Sequence, residues 1–166
     1  GAGEEAVASF GMHGIAHAAS ARAACVMHAH PPHATAVGAT SQGLLPLTLD
    51  AMMIQGLVCY MDVDADMDNL PAALRGRAQV VMMRNHGVLT LGRTVGEAFT
   101  LMLHVEKAAR MQVLAQSTGG ELVLPPAAFA EEVAEGFEGD EEWPGTHEWP
   151  ALVRQLEWKW GEDYKL

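Results

Sequence analysis

Three features that would place a chain in a familiar class are scarce in this sequence. Cysteine occurs only twice, as Cys25 and Cys59, and no Cys-x-x-Cys pair is present. This argues against a disulfide framework, a redox motif and a zinc knuckle. Both cysteines lie in apolar runs, where a free, buried thiol is the usual state. We therefore expect a reducing, cytoplasmic setting.

Basic residues are also scarce. Ten Lys and Arg stand against 21 Asp and Glu, which gives a formal net charge of -11. The basic residues form no stripe or cluster, so binding of DNA or RNA through phosphate neutralisation is not expected. The acidic residues are concentrated in two tracts, Asp62 to Asp68 and Glu131 to Glu142, which we interpret as solvated surface.

Long hydrophobic runs are absent as well. His, Gly or charged residues interrupt each run before the ~20 residues that a membrane-spanning helix needs, and no basic segment followed by an apolar one marks an export signal. With 49% hydrophobic residues, the chain can still bury the core of one domain. We expect a single domain over residues 1–166 that continues upstream of its small, acidic start. An acidic, tryptophan-containing extension is expected over residues 125–166.

Hydrophobic periodicity predicts alternating helices and strands, without the Gly-rich turn of a nucleotide-binding fold. Helices are predicted over residues 10–24, 33–39, 49–56, 68–76 and 98–116, and strands over residues 24–30, 58–63, 79–84 and 88–91. The last two strands should form an antiparallel pair, joined by the turn Asn85-His86-Gly87. From Leu124 onward we predict a loop and one helix near residues 151–160.

Two histidines lie at the end of the first predicted strand. His28 and His30 are two residues apart, so their side chains point to the same face of the strand. Pro31-Pro32 follows at once and cannot continue the ladder of a central strand. A lone buried histidine is more often a satisfied core residue, but two imidazoles side by side at a strand end favour a chelate for a divalent metal.

A third ligand is predicted at His86, in the Asn-His-Gly turn between two buried strands. There the glycine is expected to let the backbone bend sharply, so that the imidazole projects inward. Three imidazoles with an open position suit zinc, while manganese and iron are alternatives that ligand type does not exclude. An unrelated metal-dependent hydrolase is a further alternative for the same three histidines.

Other histidines compete as donors. His13 and His17 have the i, i+4 spacing of a helical metal pair, but Gly14 stands where a zinc protease of the His-Glu-x-x-His type has its glutamate. We interpret His13 and His17 as core residues or as pocket residues behind the ligands, and we expect His33 to line the pocket. His104, in a nearly all-apolar helix, is predicted to make a buried polar contact.

Two glutamates have structural interpretations. Glu97 follows Thr94 by three residues, which is the spacing of a capping box. Glu106 is expected either to pair with Arg110 one turn later or to support a neighbouring element. The pattern therefore identifies no catalytic acid or base.

Together these motifs resemble the class II aldolase/adducin family. The resemblance rests on Met-His-Ala-His-Pro-Pro-His-Ala-Thr-Ala (27–36), Arg-Asn-His-Gly-Val-Leu-Thr-Leu-Gly (84–92), Glu-Ala-Phe (97–99) and the helix with Glu106. It covers the chain from about residue 10 to residue 125. It implies an α/β fold, a three-layer α/β/α domain around a mostly antiparallel central sheet, commonly assembled as a ring-shaped homotetramer. It also implies that zinc is held by His28, His30 and His86.

The same resemblance implies lyase-type chemistry on a small hydroxy acid, oxo acid or sugar derivative. In the sugar-phosphate aldolases of the family, the metal polarises a carbonyl and stabilises the enolate left when a carbon-carbon bond breaks, and the same electron sink serves a decarboxylation. Other members are decarboxylases or epimerases, and adducin is a cytoskeletal protein without a known catalytic role. A binding or structural module that retains the fold is therefore the alternative function.

Two departures from the aldolase pattern bear on activity. Ser9 stands where the aldolases have their catalytic glutamate, and a serine is a poor proton shuttle at neutral pH. The segment from Phe10 to His17 is more similar to the adducin-like bacterial branch. The N-terminal part of the family, with its phosphate-binding loops and several strands, has no counterpart in this sequence.

Overall fold

Four strands form one sheet in the computed structural model, which describes residues 2–62, 67–138 and 143–161. The strands are β1 (Cys25–Ala29), β2 (Val58–Met61), β3 (Val80–Met83) and β4 (Gly87–Gly92), and their order across the sheet is β1-β4-β3-β2. β4 is antiparallel to both β1 and β3, whereas β2 is parallel to β3. The predicted antiparallel pair of β3 and β4 is confirmed.

Helices surround this sheet and supply most of the remaining described residues. They are α1 (Ala2–Ala19), α2 (Pro32–Gly38), α3 (Leu49–Ile54), α4 (Leu70–Ala73), α5 (Val95–Ser117), α6 (Ala127–Glu138) and α7 (Glu148–Trp160). Short 3-10 turns extend α3 over Gln55–Leu57 and precede α4 over Met67–Asn69. None of the helices in the described residues is long and apolar enough to cross a membrane.

Each face of the sheet carries its own hydrophobic cluster. Along β3, Val80 and Met82 point into one cluster and Val81 and Met83 into the other, because alternate residues of a strand face opposite sides. The first cluster is completed by α2, α3, α5 and α6, and the second by α1 and α4. The protein is therefore a three-layer α/β/α structure around a mostly antiparallel sheet, which confirms the predicted fold class.

The first helix differs from its prediction over residues 10–24. α1 begins at Ala2, in a stretch rich in alanine and glutamate that favours helix. It ends at Ala19, before the predicted boundary. The ring of His17 contacts the carbonyl oxygen of Ala23 at 2.5 Å, which ties the last turn of α1 to the loop that leads into β1.

Helix α5 crosses the first face of the sheet. It begins after Thr94, whose Oγ1 accepts a hydrogen bond from the N–H of Glu97 at 3.0 Å, as the capping box predicts. The carboxylate of Glu97 does not complete the box, because it accepts hydrogen bonds from the backbone and guanidinium of Arg93. One side of α5 is buried, whereas Met111 and Leu114 are exposed.

The C-terminal part holds two helices, so the prediction of a loop before residue 151 was wrong. α6 is amphipathic, with Ala130 and Ala134 buried one turn apart and Phe137 packed against the first cluster. Its acidic composition concealed that apolar stripe. α7 lies against α5 through Trp149, whose ring centroid is 5.4 Å from that of Phe99.

The two cysteines are free, as predicted, but partly exposed. The expectation that both are buried was wrong, because Cys25 and Cys59 lie on β1 and β2, the two outer strands of the sheet. Burial nevertheless raises the pKa of Cys59 to about 11. The predicted end of the second strand at residue 63, the middle of the acidic tract over 62–68 and the end of the tract over 131–142 lie outside the described residues.

Candidate metal centre

Strand β1 carries the first histidine of the site on the face covered by α1. Val26 packs into the cluster beneath α1, and His28, two residues later, points to the same side, whereas Met27 and Ala29 pack on the opposite cluster. His28 lies opposite Leu89 of β4 in the ladder. The ladder therefore fixes the position of His28 relative to the turn that follows β3.

His30 lies one residue beyond the end of β1, and its side chain is exposed. Its nearest constraint is Gly87, the first residue of β4. A Cβ atom at Gly87 would lie 2.5 Å from Cδ2 of His30 and 2.7 Å from the carbonyl oxygen of Ala29, both closer than van der Waals contact allows. A glycine is needed here because the imidazole and the end of β1 press against the backbone.

His86 lies in the turn between β3 and β4. The N–H of His86 donates to the carbonyl oxygen of Met83 at 3.1 Å, which closes the turn. The left-handed residue is Asn85, with φ 57°, and not the glycine. Asparagine is one of the few residues that tolerate this conformation. The expectation that Gly87 supplies the sharp bend was therefore wrong: Asn85 bends the chain, and Gly87 makes room for His30.

The three predicted ligands converge. Their candidate ligand atoms all lie within 4.8 Å of one another, and Nε2 of His28 is 3.1 Å from Nε2 of His30. The ring centroid of His86 is 5.0 Å from that of His28 and 4.9 Å from that of His30. Two nitrogen ligands of a tetrahedral zinc are roughly 3.3 Å apart, so the observed pair needs only a small adjustment to share an ion.

Neutral imidazoles are favoured at this site. Burial lowers the pKa of His28 below its ordinary value of 6.5; the hydrogen bond to Val88 opposes that shift, and the imidazoles of His86, His30 and His13 reinforce it. Burial and the neighbouring His30 lower the pKa of His86 in the same way. A neutral imidazole has the free lone pair that a metal ligand needs.

A backbone carbonyl orients the first of these rings. Nδ1 of His28 is 3.0 Å from the carbonyl oxygen of Val88. Because a carbonyl only accepts, Nδ1 must carry the hydrogen, and the lone pair is left on Nε2, which faces His30. Metal-binding histidines commonly donate their second N–H in this manner. The donor set and its support therefore fit a divalent metal.

The predicted pocket residues lie outside this triad in the described residues. The ring of His17 is held by the loop after α1, and His33 Nδ1 donates to Oε1 of Glu106 at 2.6 Å. His13 lies in α1, on the side of the sheet that His28 faces. Of the two expectations for Glu106, the structure shows the second, since its carboxylate supports α2.

His104 makes the buried polar contact that was predicted for it. Its Nδ1 donates to Oδ1 of Asp50 at 2.7 Å, and Nζ of Lys107 donates to the same oxygen at 2.9 Å. Burial alone would raise the pKa of Asp50, but these two hydrogen bonds lower it below 3.8. The partners Asp50 and Glu106 were missed at the sequence level because each is more than 50 residues from its histidine.

Comparisons with known proteins identify relatives of this chain. Residues 2–113 match the family described as Class II Aldolase and Adducin N-terminal domain. The chain is 34% identical over 156 residues to a Caulobacter vibrioides protein named "Putative aldolase class 2 protein", covering 90% of this chain and 61% of that protein. It is 32% identical over 165 residues to human beta-adducin, covering 89% of this chain and 23% of beta-adducin.

A solved structure gives the same result in three dimensions. The aldolase II superfamily protein from Pseudomonas syringae superimposes with a TM-score of 0.83 at 34% sequence identity. The superposition covers 92% of this chain and 63% of that protein. The chain thus spans about three fifths of the length of its bacterial relatives and about a quarter of beta-adducin.

Proposed function

This chain belongs to the class II aldolase and adducin N-terminal domain family, and from that premise we propose that it is a metal-dependent lyase-type enzyme. The reaction is aldol cleavage or decarboxylation of a small hydroxy acid, oxo acid or sugar derivative. One observation carries the proposal. The three histidines whose ligand atoms come within 4.8 Å of one another are His28, His30 and His86.

His28, His30 and His86 would hold a divalent metal, and the metal would supply Lewis acidity for polarising a carbonyl beside the carbon-carbon bond to be broken. Zinc suits three neutral imidazoles, with manganese or iron as alternatives. The protein presents the ligands at the end of the sheet with His30 exposed, so that a small substrate has access from solvent. The lowered pKa values of His28 and His86 keep both rings ready to bind the ion.

Proton transfer favours one of the two reactions. Ser9, in the place of the aldolase glutamate, lies in α1, and a hydroxyl is a weak base at neutral pH. Both reactions leave an enolate that takes up a proton, but aldol cleavage also needs a base to remove a hydroxyl proton, whereas decarboxylation starts from a carboxylate that is already ionised. The missing carboxylate therefore supports decarboxylation over aldol cleavage.

A non-catalytic binding or structural module is the second candidate function. The similarity to human beta-adducin, at 32% identity over 89% of this chain, favours it, as does Ser9 in the place of a catalytic base. In that case a metal at the histidine cluster would stabilise the fold and take no part in a reaction. The two candidate functions require the same fold, but only the enzyme would turn over a substrate.

The proposal includes several expectations about the whole protein. It acts in the cytoplasm as a homotetramer, and residues 1–166 belong to one domain whose C-terminal extension packs on the rest. The contact of Trp149 with Phe99 and the 5.9 Å separation of the Trp143 and His104 rings support the last point. The exposed side chains of Met111 and Leu114 on α5 offer apolar surface for a neighbouring subunit.

The test begins with metal analysis of the purified protein. We expect close to one divalent ion per chain, lost in His30→Ala and retained in His147→Ala, which removes a histidine outside the triad. A wild-type protein that binds no metal would contradict the proposal. Metal-dependent release of CO2 or aldehyde from a panel of hydroxy and oxo acids supports the enzyme. A bound metal without turnover on any substrate favours the module.

A further inference from the structure

The N-terminus of α2 has no cap of its own. Its N-cap residue is Pro31, which has no side-chain hydrogen-bonding group, and Pro32 in the first turn has no N–H. The N–H groups that need partners there belong to His33 and Ala34. Both donate to Glu106 of α5, at 3.4 Å to Oε1 and 2.9 Å to Oε2.

The same carboxylate also holds a side chain of this turn. Nδ1 of His33 donates to Oε1 of Glu106 at 2.6 Å, so one carboxylate accepts three hydrogen bonds from two consecutive residues. A negative charge is favourable beside the positive end of a helix. The side chain of Glu106 is only 25% exposed, which reduces the screening of this interaction by solvent. Glu106 thus fastens the start of α2 to the long helix α5.

This anchor lies immediately beyond a proposed metal ligand. His30 follows the last ladder residue, Ala29, so pairing with β4 does not fix its backbone. Between His30 and the anchor stand Pro31 and Pro32, whose rings fix φ near -65°, and Pro31 is observed at -64°. The link is therefore stiff. On its other side the imidazole touches Gly87, which leaves it little space to move.

We infer that Glu106 is a positioning residue for the metal ligand His30, acting through the backbone of His33 and Ala34. The inference rests on the proposed metal site and adds to it a residue of α5 that does not touch the metal. Without the carboxylate, the first turn of α2 loses its partners and His30 samples a wider range of positions. Metal affinity then falls about 10- to 100-fold, the range found when groups that support metal ligands are removed.

The experiment measures zinc affinity by competition with a chelator and records the visible spectrum of the cobalt-substituted protein, which reports coordination geometry. Glu106→Ala should show the full loss of affinity and an altered cobalt spectrum. Glu106→Gln, which keeps one acceptor oxygen, should lose less zinc affinity than Glu106→Ala and show a cobalt spectrum closer to that of the wild type. His33→Ala leaves the two backbone hydrogen bonds in place and should lose less than Glu106→Ala.

The matched control is Asp50→Asn. Asp50 is also a carboxylate that binds a histidine and ties a short helix to α5, but it contacts His104 and Lys107, not the turn after β1. We expect it to lower stability and leave the zinc affinity and the cobalt spectrum unchanged.

The outcomes separate this inference from the proposed function. If the wild-type protein binds no zinc, the proposed function fails. If it binds zinc and both Glu106 variants bind equally well, only the inference fails. An equal loss in Asp50→Asn would show general destabilisation and overturn the inference. A loss in His33→Ala as large as that in Glu106→Ala would overturn the backbone route. If Glu106→Ala does not fold, the milder Glu106→Gln decides.

Discussion

Two groups of histidines in this protein differ in what their rings contact. The first group, at the end of the sheet, is His28, His30 and His86, and the second, at helix interfaces, is His33 and His104. Each of the latter two donates to a carboxylate, Glu106 or Asp50, within 2.7 Å. The three others face one another, and no carboxylate belongs to their cluster in the described part of the chain. Histidine side chains thus join helices in one region and, in the other, bring their candidate ligand atoms within 4.8 Å of one another.

The difference has an energetic meaning. An imidazole that donates to a carboxylate stabilises the fold by itself, by about 1.5–3 kcal/mol for a hydrogen bond with a charged group. The three converging imidazoles have no carboxylate partner among the described residues of their cluster, so they stabilise the fold little without a ligand. The contacts of His33 and His104 therefore contribute to the stability of the fold, whereas the proposed role of the cluster is to bind a metal.

The sharpest test of this comparison removes one histidine from each group and measures both metal affinity and stability. We expect His86→Ala to weaken metal binding more than about 100-fold, beyond the effect of removing a supporting group, with little change in the stability of the metal-free protein. His104→Ala should leave metal binding unchanged and lower the free energy of unfolding by about 1–3 kcal/mol, because it breaks a largely buried hydrogen bond to Asp50. Isothermal titration and urea unfolding measure both. An equal loss of metal affinity in His86→Ala and His104→Ala would refute the division of the histidines into two groups.

A second variant perturbs the cluster without removing a ligand. In Gly87→Ala the new methyl group would meet the ring of His30 and the carbonyl oxygen of Ala29, so the ligand or the end of β1 must shift. We expect a loss of metal affinity of about tenfold or more, comparable with the loss of a supporting group. Gly120→Ala, at an exposed position after α5, is the control. An unchanged affinity in Gly87→Ala would mean that His30 is not confined as described.

Acidification should affect the two groups in different pH ranges. His28 and His86 have pKa values below 6.5, so the unfolded chain takes up protons at a higher pH than the folded one. The contribution of His28 and His86 to the free energy of unfolding is therefore complete above pH 6.5. It declines as pH falls through their lower native pKa values, and metal affinity declines over the same range. Asp50, whose pKa is lowered below 3.8, keeps its contribution to the free energy of unfolding until the pH falls through that lowered pKa. Metal binding and unfolding measured between about pH 3 and pH 8 check this order. Metal loss only below pH 4 would contradict it.

The smallest effect is expected at His17. Its ring bonds a backbone carbonyl oxygen, that of Ala23, and the residue is exposed. His17→Ala should lower the free energy of unfolding by about 0.5–1.5 kcal/mol, as for an ordinary hydrogen bond, and leave metal affinity unchanged. Thermal unfolding with and without zinc measures both. A loss of metal affinity here would assign His17 to the site.

The parts of the structure that depend on local pattern were predictable. The period of two along a strand paired His28 with His30, Pro31-Pro32 marked the end of β1, and the Asn-His-Gly turn placed a third histidine between β3 and β4. The family resemblance, now confirmed by the match over residues 2–113, supplied the three layers.

The parts that depend on contacts between distant residues were not predictable. Nothing near Glu106 in the sequence indicates that its carboxylate lies beside His33, 73 residues away. The role of Gly87 required knowing that His30 approaches its backbone. Helix α6 was a different failure, since Ala130, Ala134 and Phe137 show a helical spacing that the surrounding acidic residues obscured.

The pairing of His28 with Leu89 across the β1–β4 ladder has a consequence for folding. In the unfolded chain only His28 and His30 are near each other, and His86 joins them once a loop of more than 50 residues has closed. A slip of the ladder by one residue would turn His28 to the opposite face of the sheet. A bound ion would therefore stabilise the correctly registered sheet relative to a slipped one, and this preference would grow with the concentration of free ion.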